Sequence, residues 1–364
     1  MSTVDVREKI NIGSPQELVG AALLVAVLIL ALDLVRRLVM GTLALSTLQS
    51  YLWNGFVDSL YIALAAIGLS MTYSILRFAN FSHGDLITTG AFSGWTVAYL
   101  IGGIGVAELS SRLLLRADGG AAPGQLEMHI LGEPIAIVVG LVVAAIVTVL
   151  VALAIDRLIY KRLRNAGGIP LLIASVGVAL ALRYLIAVFY TTSSRGVTAS
   201  APTWELPTGT VNLHEMLLVG AALALILGVH LLLQYTKLGK AMRAMSDNRD
   251  LALITGIPTE RVIFSTWVIG AGLAGVAGYL IVLDRGTLSI NLGWFLLLLI
   301  FAAVILGGIG SIYGALAGSL VIGITINLSL VWIPADMNEI AAFALMILVL
   351  IFRPEGLFGG VETA

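Results

Sequence analysis

Ile135-Ala-Ile-Val-Val-Gly-Leu-Val-Val-Ala-Ala-Ile-Val-Thr-Val-Leu-Val-Ala-Leu-Ala-Ile155 is an unbroken run of 21 residues without a charge. About 20 mostly apolar residues in a helix cross the hydrocarbon core of a bilayer. A barrel strand would instead alternate over roughly ten residues, and no backbone polar group can be left unpaired in lipid. The run therefore reads as a spanning helix. Outward from it, similar runs fall near 18–40, 52–76, 86–103, 169–190, 213–235, 261–283, 293–309, 311–331 and 338–353, and the central one extends over 133–156. Composition agrees, with 59% hydrophobic and 11% charged residues and a mean hydropathy of +1.04. Soluble domains carry about 45–50% and 25%. So little charge cannot cover a water-soluble surface of this length, which excludes a soluble enzyme, a nucleic-acid binder and a disordered scaffold. The expected fold is an all-α polytopic membrane protein with roughly nine to ten transmembrane helices.

The net charge of −1 is uninformative, so position decides. Lys161, Arg162 and Arg164 lie in one short connection, and Lys237, Lys240, Arg243, Arg249 and Arg261 lie in another, two spans later. Both belong on the cytoplasmic side by the excess of Lys and Arg in inner loops. Counting on puts the C-terminus, with Arg353, on that side, and counting back puts 104–132 outside. The first span gives opposed signals. Arg7 and Lys9 place its start inside, whereas Arg36 and Arg37 then fall outside. Acidic Asp5, Glu8 and Glu17 precede the apolar run and no small-residue cleavage site follows, so a cleavable leader is not expected. Cysteine is absent and the four His are scattered, which leaves no disulfide, no thiolate chemistry and no metal-binding spacing.

Three features carry chemistry. Arg77-Phe-Ala-Asn-Phe-Ser-His-Gly-Asp85 interrupts two apolar runs with donors and acceptors. One reading is capping at the inner end of two helices, with Ser82 as the cap and Asp85 as the acidic half of a capping box. The other is a pathway lining, because broken helices at membrane depth line cavities in transporters. Both stay open, over Asn80, Phe81, Ser82, His83, Gly84 and Asp85. Catalysis by His83 lacks a partner base or nucleophile. The second feature is Leu238 to Pro258, where a short helix reads from a Ser246 or Asp247 cap to a left-handed stop at Gly256, with Asp250 in its first turn. Leu251, Ile254 and Ile257 form an apolar stripe beyond the membrane. It is covered by a partner, by the protein's own loops or by the lipid surface.

The third feature is glycine, 40 in all. Gly270, Gly272, Gly275 and Gly278 lie in one span. Gly307 and Gly308 precede a ridge of Gly310, Gly314 and Gly318 that lets helix backbones touch. Tight packing and a moving gate are both compatible with this. Ile305-Leu-Gly-Gly-Ile-Gly-Ser311 reads as a tight turn. No G-x-x-x-x-G-K-[ST] occurs, so this chain is not expected to hydrolyse ATP. Asp58, Asp85 and Asp284 fall near span ends where water is close, and Asp156 and His230 read as interfacial. Arg183 stands out within a span, as a pathway residue or one that snorkels or pairs locally.

Asn80-Phe-Ser-His-Gly-Asp85 resembles the Asn-Phe-Ala-His-Gly-Glu signature of branched-chain amino acid ABC permeases. The stretch from Gly239 through Gly256 to Arg261-Val262 is similar to that family's coupling loop. Val304-Ile-Leu-Gly-Gly-Ile-Gly-Ser311 and Phe352-Arg-Pro-Glu-Gly-Leu357 resemble its glycine turn and ending. The likeness spans about 51–358, with 1–50 as an extension holding one extra helix and 359–364 as a cytoplasmic tail. Ser82 and Asp85 replace the commoner Ala and Glu. The resemblance implies a non-catalytic, multi-pass inner-membrane subunit of a bacterial importer. It implies pairing with a second homologous permease, two cytoplasmic ATPase subunits that use ATP and Mg, and a periplasmic substrate-binding protein. It makes Ser246, Asp247, Asp250, Leu251, Ile254 and Gly256 the ATPase-coupling helix. The implied cargo is a branched-chain or other hydrophobic amino acid, with urea and short amides as alternatives, and no charged clamp for an amino acid is evident. A stand-alone channel or ion-coupled carrier is the competing class.

Overall fold

The computed structural model describes residues 15–113, 122–164, 166–206 and 209–358. Its helices are α1 (Pro15–Val39), α2 (Leu45–Leu76), α3 (Ser82–Gly102), α4 (Leu109–Arg112), α5 (Pro134–Ile155), α6 (Lys161–Leu163), α7 (Gly168–Tyr190), α8 (Leu213–Tyr235), α9 (Lys237–Asp247), α10 (Arg249–Ile254), α11 (Thr259–Arg285), α12 (Leu292–Gly307), α13 (Ile312–Leu328) and α14 (Asn338–Phe352). A π-helical turn, Asp156–Tyr160, joins α5 to α6. Four short strands, β1 (Arg195–Gly196), β2 (Thr203–Leu206), β3 (Gly209–Asn212) and β4 (Thr287–Leu288), pair as β1 with β4 and β2 with β3, both antiparallel. Among the described residues, seven helices are long and apolar enough to cross a membrane, and α12 is a shorter apolar one. Each of the ten apolar runs has its helix. The protein is an all-α polytopic membrane protein.

Helix ends follow local chemistry. Pro134 opens α5, where its missing N–H costs nothing. Asn212 and Glu215 form a capping box on α8. Thr236, Asn248 and Ser311 accept from Gly239 N, Leu251 N and Gly314 N at the starts of α9, α10 and α13. Arg77 ends α2 in the left-handed region (φ 57°), an uncommon place for a residue with a side chain, and its N–H reaches Tyr73 O at 2.8 Å.

Two helices form the centre. In the most apolar window of α2, 89% of residues are buried, and in that of α11, 83%, against 6% for α14. Around them α13 packs on α2, α3 and α5 pack on α11, α12 fills between α13 and α3, and α7 and α8 cover the outside. Central helices meet through glycine. A β-carbon on Gly270 would lie 3.0 Å from Gly68 O, and one on Gly278 would lie 2.0 Å from Ile87 O. Such backbone contact replaces the hydrophobic driving force that lipid does not supply between helices. Peripheral helices keep apolar outer faces, as on α5, where Ile135, Val138, Val142, Ile146 and Leu150 are exposed at helical spacing.

Hydrogen bonds show which connections share an end of the bundle. At one end Arg77 Nη2 donates to Ser246 O, Arg164 pairs with Glu260 at 2.8 Å, and Leu357 N donates to Leu306 O at 2.8 Å. At the other, Tyr99 OH donates to Val197 O, Val197 N to Gly286 O, and Ala199 N to Met128 O. The direction of the first span relative to the other helices is set here. Trp332 Nε1, beyond α13, donates to Asp33 Oδ2 at 3.0 Å, so the C-terminal end of α1 lies with the α13–α14 connection. Arg36 and Arg37 are at that end, each paired with Asp33, at 3.6 and 2.7 Å. Arg7 and Lys9, and the 359–364 tail, lie outside the described residues.

Candidate translocation and coupling site

The polar break lies within the bundle and not at its inner surface. Segment 77–81 turns back alongside α2, and His83 meets Ala65 O at 2.9 Å. Ala65 precedes the end of α2 by eleven residues, about 16 Å of helix rise. A carbonyl only accepts, so His83 carries its proton on Nε2. Asn80, Ser82, His83 and Asp85 are all buried. The expected Ser82 capping box does not form, and Ser82, His83, Gly84 and Asp85 are already the first turn of α3. Asn80 takes the capping role. Its Oδ1 accepts from Ser82 N at 3.1 Å, Ser82 Oγ at 2.7 Å and Tyr160 OH at 3.3 Å. Phe81 N donates to Ser175 Oγ of α7, and the Phe81 ring lies 5.2 Å from that of Phe301 on α12. Gly84 admits α12, since a β-carbon there would lie 2.6 Å from Gly293 O.

Truncating the Asn80 carboxamide removes the acceptor of Ser82 N in a dry site and leaves the Ser82 and Tyr160 hydroxyls, 2.8 Å apart, with one acceptor fewer between them. An unsatisfied buried group costs about 1–3 kcal/mol. Asn80→Ala is therefore expected to lower the Tm of the detergent-solubilised protein by several degrees, as scanning fluorimetry would show. Tyr160→Phe, which leaves Asn80 and Ser82 paired, is expected to shift it less.

Asp85 does not sit near water. Its carboxylate is fully buried and takes two hydrogen bonds from Arg183, from Nε at 3.1 Å and Nη2 at 3.0 Å. The Arg183 guanidinium also lies 4.6 Å from the ring centroid of Trp294 on α12. One side chain thus joins α3, α7 and α12. The two partners are 98 residues apart in the chain, and the one signal in the sequence is an arginine inside a span. Asp156 is likewise more than interfacial. It pairs with Arg164 at 2.7 Å, and Arg164 and Lys161 both reach Glu260, tying the π-turn to the start of α11. His230 bonds Tyr313 OH at 2.9 Å.

The 238–258 connection contains two helices, not one. Ser246 and Asp247 end α9, and the cap of α10 is Asn248. Gly256 takes the left-handed stop, φ 85°. Helix α9 is amphipathic, with Gly239, Met242 and Met245 buried and Lys237, Lys240 and Arg243 outward. Above it a cavity of about 180 Å³ lies among Met71, Ser74, Met242, Ser246, Thr266 and Tyr313. On α10 only Ala252 faces inward, and Leu251, Leu253 and Ile254 are 54%, 59% and 80% exposed. Asp250 is exposed beside them. Of the expected stripe Leu251, Ile254 and Ile257, the first two are left uncovered by the protein's own loops, and Ile257 is half-buried against the core.

The glycine ridge is also redrawn. Gly308 and Gly310 (φ 108° and 87°) form the turn before α13, so Gly310 is not part of the helical contact. The close approaches are Gly307 to Gly314 and Ala303 to Gly318, where added β-carbons would lie within 1.9 to 2.3 Å of carbonyl oxygens.

Spanning helices around a buried polar break, with an uncovered apolar element beyond one end, define a membrane transport component. The comparisons agree. The chain belongs to the family described as branched-chain amino acid transport system / permease component, whose model matches residues 51–350. It is 28% identical over 321 residues to the high-affinity branched-chain amino acid transport system permease protein LivH of Escherichia coli (strain K12), covering 86% of this chain and 96% of that protein. It is 26% identical over 316 residues to permease protein BraD of the same kind of system in Pseudomonas aeruginosa, covering 85% and 95%. No solved structure matches the chain. Helix α1 lies outside the matched region.

Proposed function

We propose that this chain is the membrane-spanning subunit of an ATP-driven bacterial importer that passes branched-chain or other hydrophobic amino acids from a periplasmic binding protein to the cytoplasm. The observation that carries this reading is the uncovered stripe of Leu251, Leu253 and Ile254 on α10, beyond the apolar bundle. An isolated channel or ion-coupled carrier needs no such element. In this reading the stripe receives a cytoplasmic ATPase, one on each of two paired permeases, and ATP and Mg are bound by those partners. The end holding 236–258 and the C-terminal turn is then cytoplasmic, in keeping with its Lys and Arg.

Force reaches the bundle through α9, whose buried Met242 lines the cavity beneath α2 and α11. The ATPases move the permease only through contacts that differ between their states. The test is reconstitution with cognate ATPases and binding protein, followed by uptake competition among leucine, alanine, urea and short amides. ATP-dependent leucine uptake is the expected result. Uptake without ATPases would overturn the importer reading, and preference for urea or amides would overturn the cargo.

A further inference from the structure

The pair of Asp85 and Arg183 has the two charges of a free amino acid, set within reach of each other inside the bundle. We infer that it is a station for zwitterionic cargo, with Arg183 binding the carboxylate and Asp85 receiving the ammonium group. This rests on the amino-acid reading above and adds the site that recognises the charged end. An ionisable pair inside a membrane bundle is a functional candidate by default. This one is lopsided. Asp85 is completely buried, while the Arg183 side chain keeps 12% of its surface open.

Arg183 Nε and Nη2 are used on Asp85, and Nη1 has no hydrogen-bond partner among the described residues. One edge of the guanidinium is thus open to a second carboxylate, the anion its planar fork suits best. The surroundings fit the rest of an α-amino acid. Trp294 offers a ring face under the cation, and Thr89 and Ser93, one and two turns beyond Asp85 on α3, are partly exposed and polar. Thr89 Oγ1 and Ser93 Oγ donate to Asp85 O and Gly90 O of the same helix, at 2.7 and 3.2 Å, so the cost against lipid falls on the cation, which favours a pathway wall at Arg183.

Because Arg183 joins α3, α7 and α12, its transfer from Asp85 to a cargo carboxylate would also loosen their contact. The ammonium group of the cargo then neutralises the released Asp85, so no buried charge is left unpaired during the exchange.

The test uses the reconstituted complex with its ATPases and binding protein. Removing one charge alone leaves its partner buried and unpaired, which threatens folding whatever the role. The informative variant is therefore the neutral pair Asp85→Asn with Arg183→Gln. It is expected to assemble and hydrolyse ATP, yet to import leucine at least about tenfold more slowly, the order of one lost charge-assisted contact. Leucine uptake within twofold of wild type would overturn the proposal and mark the pair as structural.

Arg183→Lys is the second arm and answers the question even if the double variant fails to assemble. It keeps the charge and loses the fork, so the half-saturating leucine concentration should rise about fivefold or more. An unchanged value would overturn the proposal. If the wild-type complex imports no amino acid, the underlying functional reading fails, and that outcome is distinct from either variant result.

Discussion

Gly278→Val is expected to cut the yield of folded, monodisperse protein at least about tenfold, read by size-exclusion chromatography of the detergent extract. Gly278 faces α3 at the centre of the bundle, where a β-carbon would lie 2.0 Å from Ile87 O, 2.8 Å from its carbonyl carbon and 3.0 Å from Ile87 Cγ2. Backbone cannot rotate away as a long side chain does. Helices α3 and α11 would have to separate by more than 1 Å, judged against the ordinary carbon–oxygen contact of about 3.3 Å. That separation breaks neighbouring contacts on the same pair of helices, among them Gly90 against Gly275 and the Trp95 ring stacked 4.7 Å from that of Tyr279. Overpacking costs about 1–3 kcal/mol in a core that can adjust, and more where backbone meets backbone. The control is Gly177→Val on α7, where nothing lies within 4 Å. Equal losses in both variants would show that valine in a span, and not the helix contact, is responsible.

Ile254→Asp is expected to leave the permease folded and to abolish recovery of the ATPase subunits on co-purification, with uptake falling at least about tenfold. The side chain is 80% exposed, so the change should move the Tm of the isolated permease little, as surface substitutions usually stay within about 0.5 kcal/mol. In a complex the same position would be a desolvated apolar anchor. Losing one such anchor typically costs about 2 kcal/mol or more, and burying an unpaired carboxylate adds to that. Leu251→Asp is expected to act in the same direction. Normal ATPase recovery and normal uptake in both variants would remove α10 from the coupling role. A lowered Tm in the isolated permease would instead place Ile254 in the fold.

Much of the architecture is a local property of the chain. Whether 135–155 spans depends on transfer of those residues from water to hydrocarbon, which needs no knowledge of neighbours. The same holds for the left-handed stop at Gly256, since a glycine before Ile257-Pro258 ends a helix wherever it sits. Cap choice was less legible. Ser82, Ser246 and Asp247 are all good caps by type, yet Asn80 and Asn248 supply the accepting side chains, Asn80 from one residue before the cap position at Phe81, because the register of the flanking helices decides which side chain meets the free N–H groups.

Contacts between distant segments were not legible at all. The direction of α1 relative to the bundle rests on two hydrogen bonds, Trp332 to Asp33 and Arg37 to Val331, across 299 and 294 residues, which a count of basic residues does not contain. A glycine in a span looks the same whether it faces open space, as Gly177 does, or a carbonyl oxygen, as Gly278 does.

The amino-acid sequence alone settled that this is a multi-span helical membrane protein, where its spans fall, and that its polar break resembles that of an importer permease. Hydrophobic transfer and helix termination act over a few neighbouring residues, so they can be read in one dimension. Tertiary structure decided that Asp85 meets Arg183, that α10 is left uncovered, and which glycines carry the packing. Those outcomes depend on pairs of surfaces brought together from distant parts of the chain, and a linear sequence holds no distance between them.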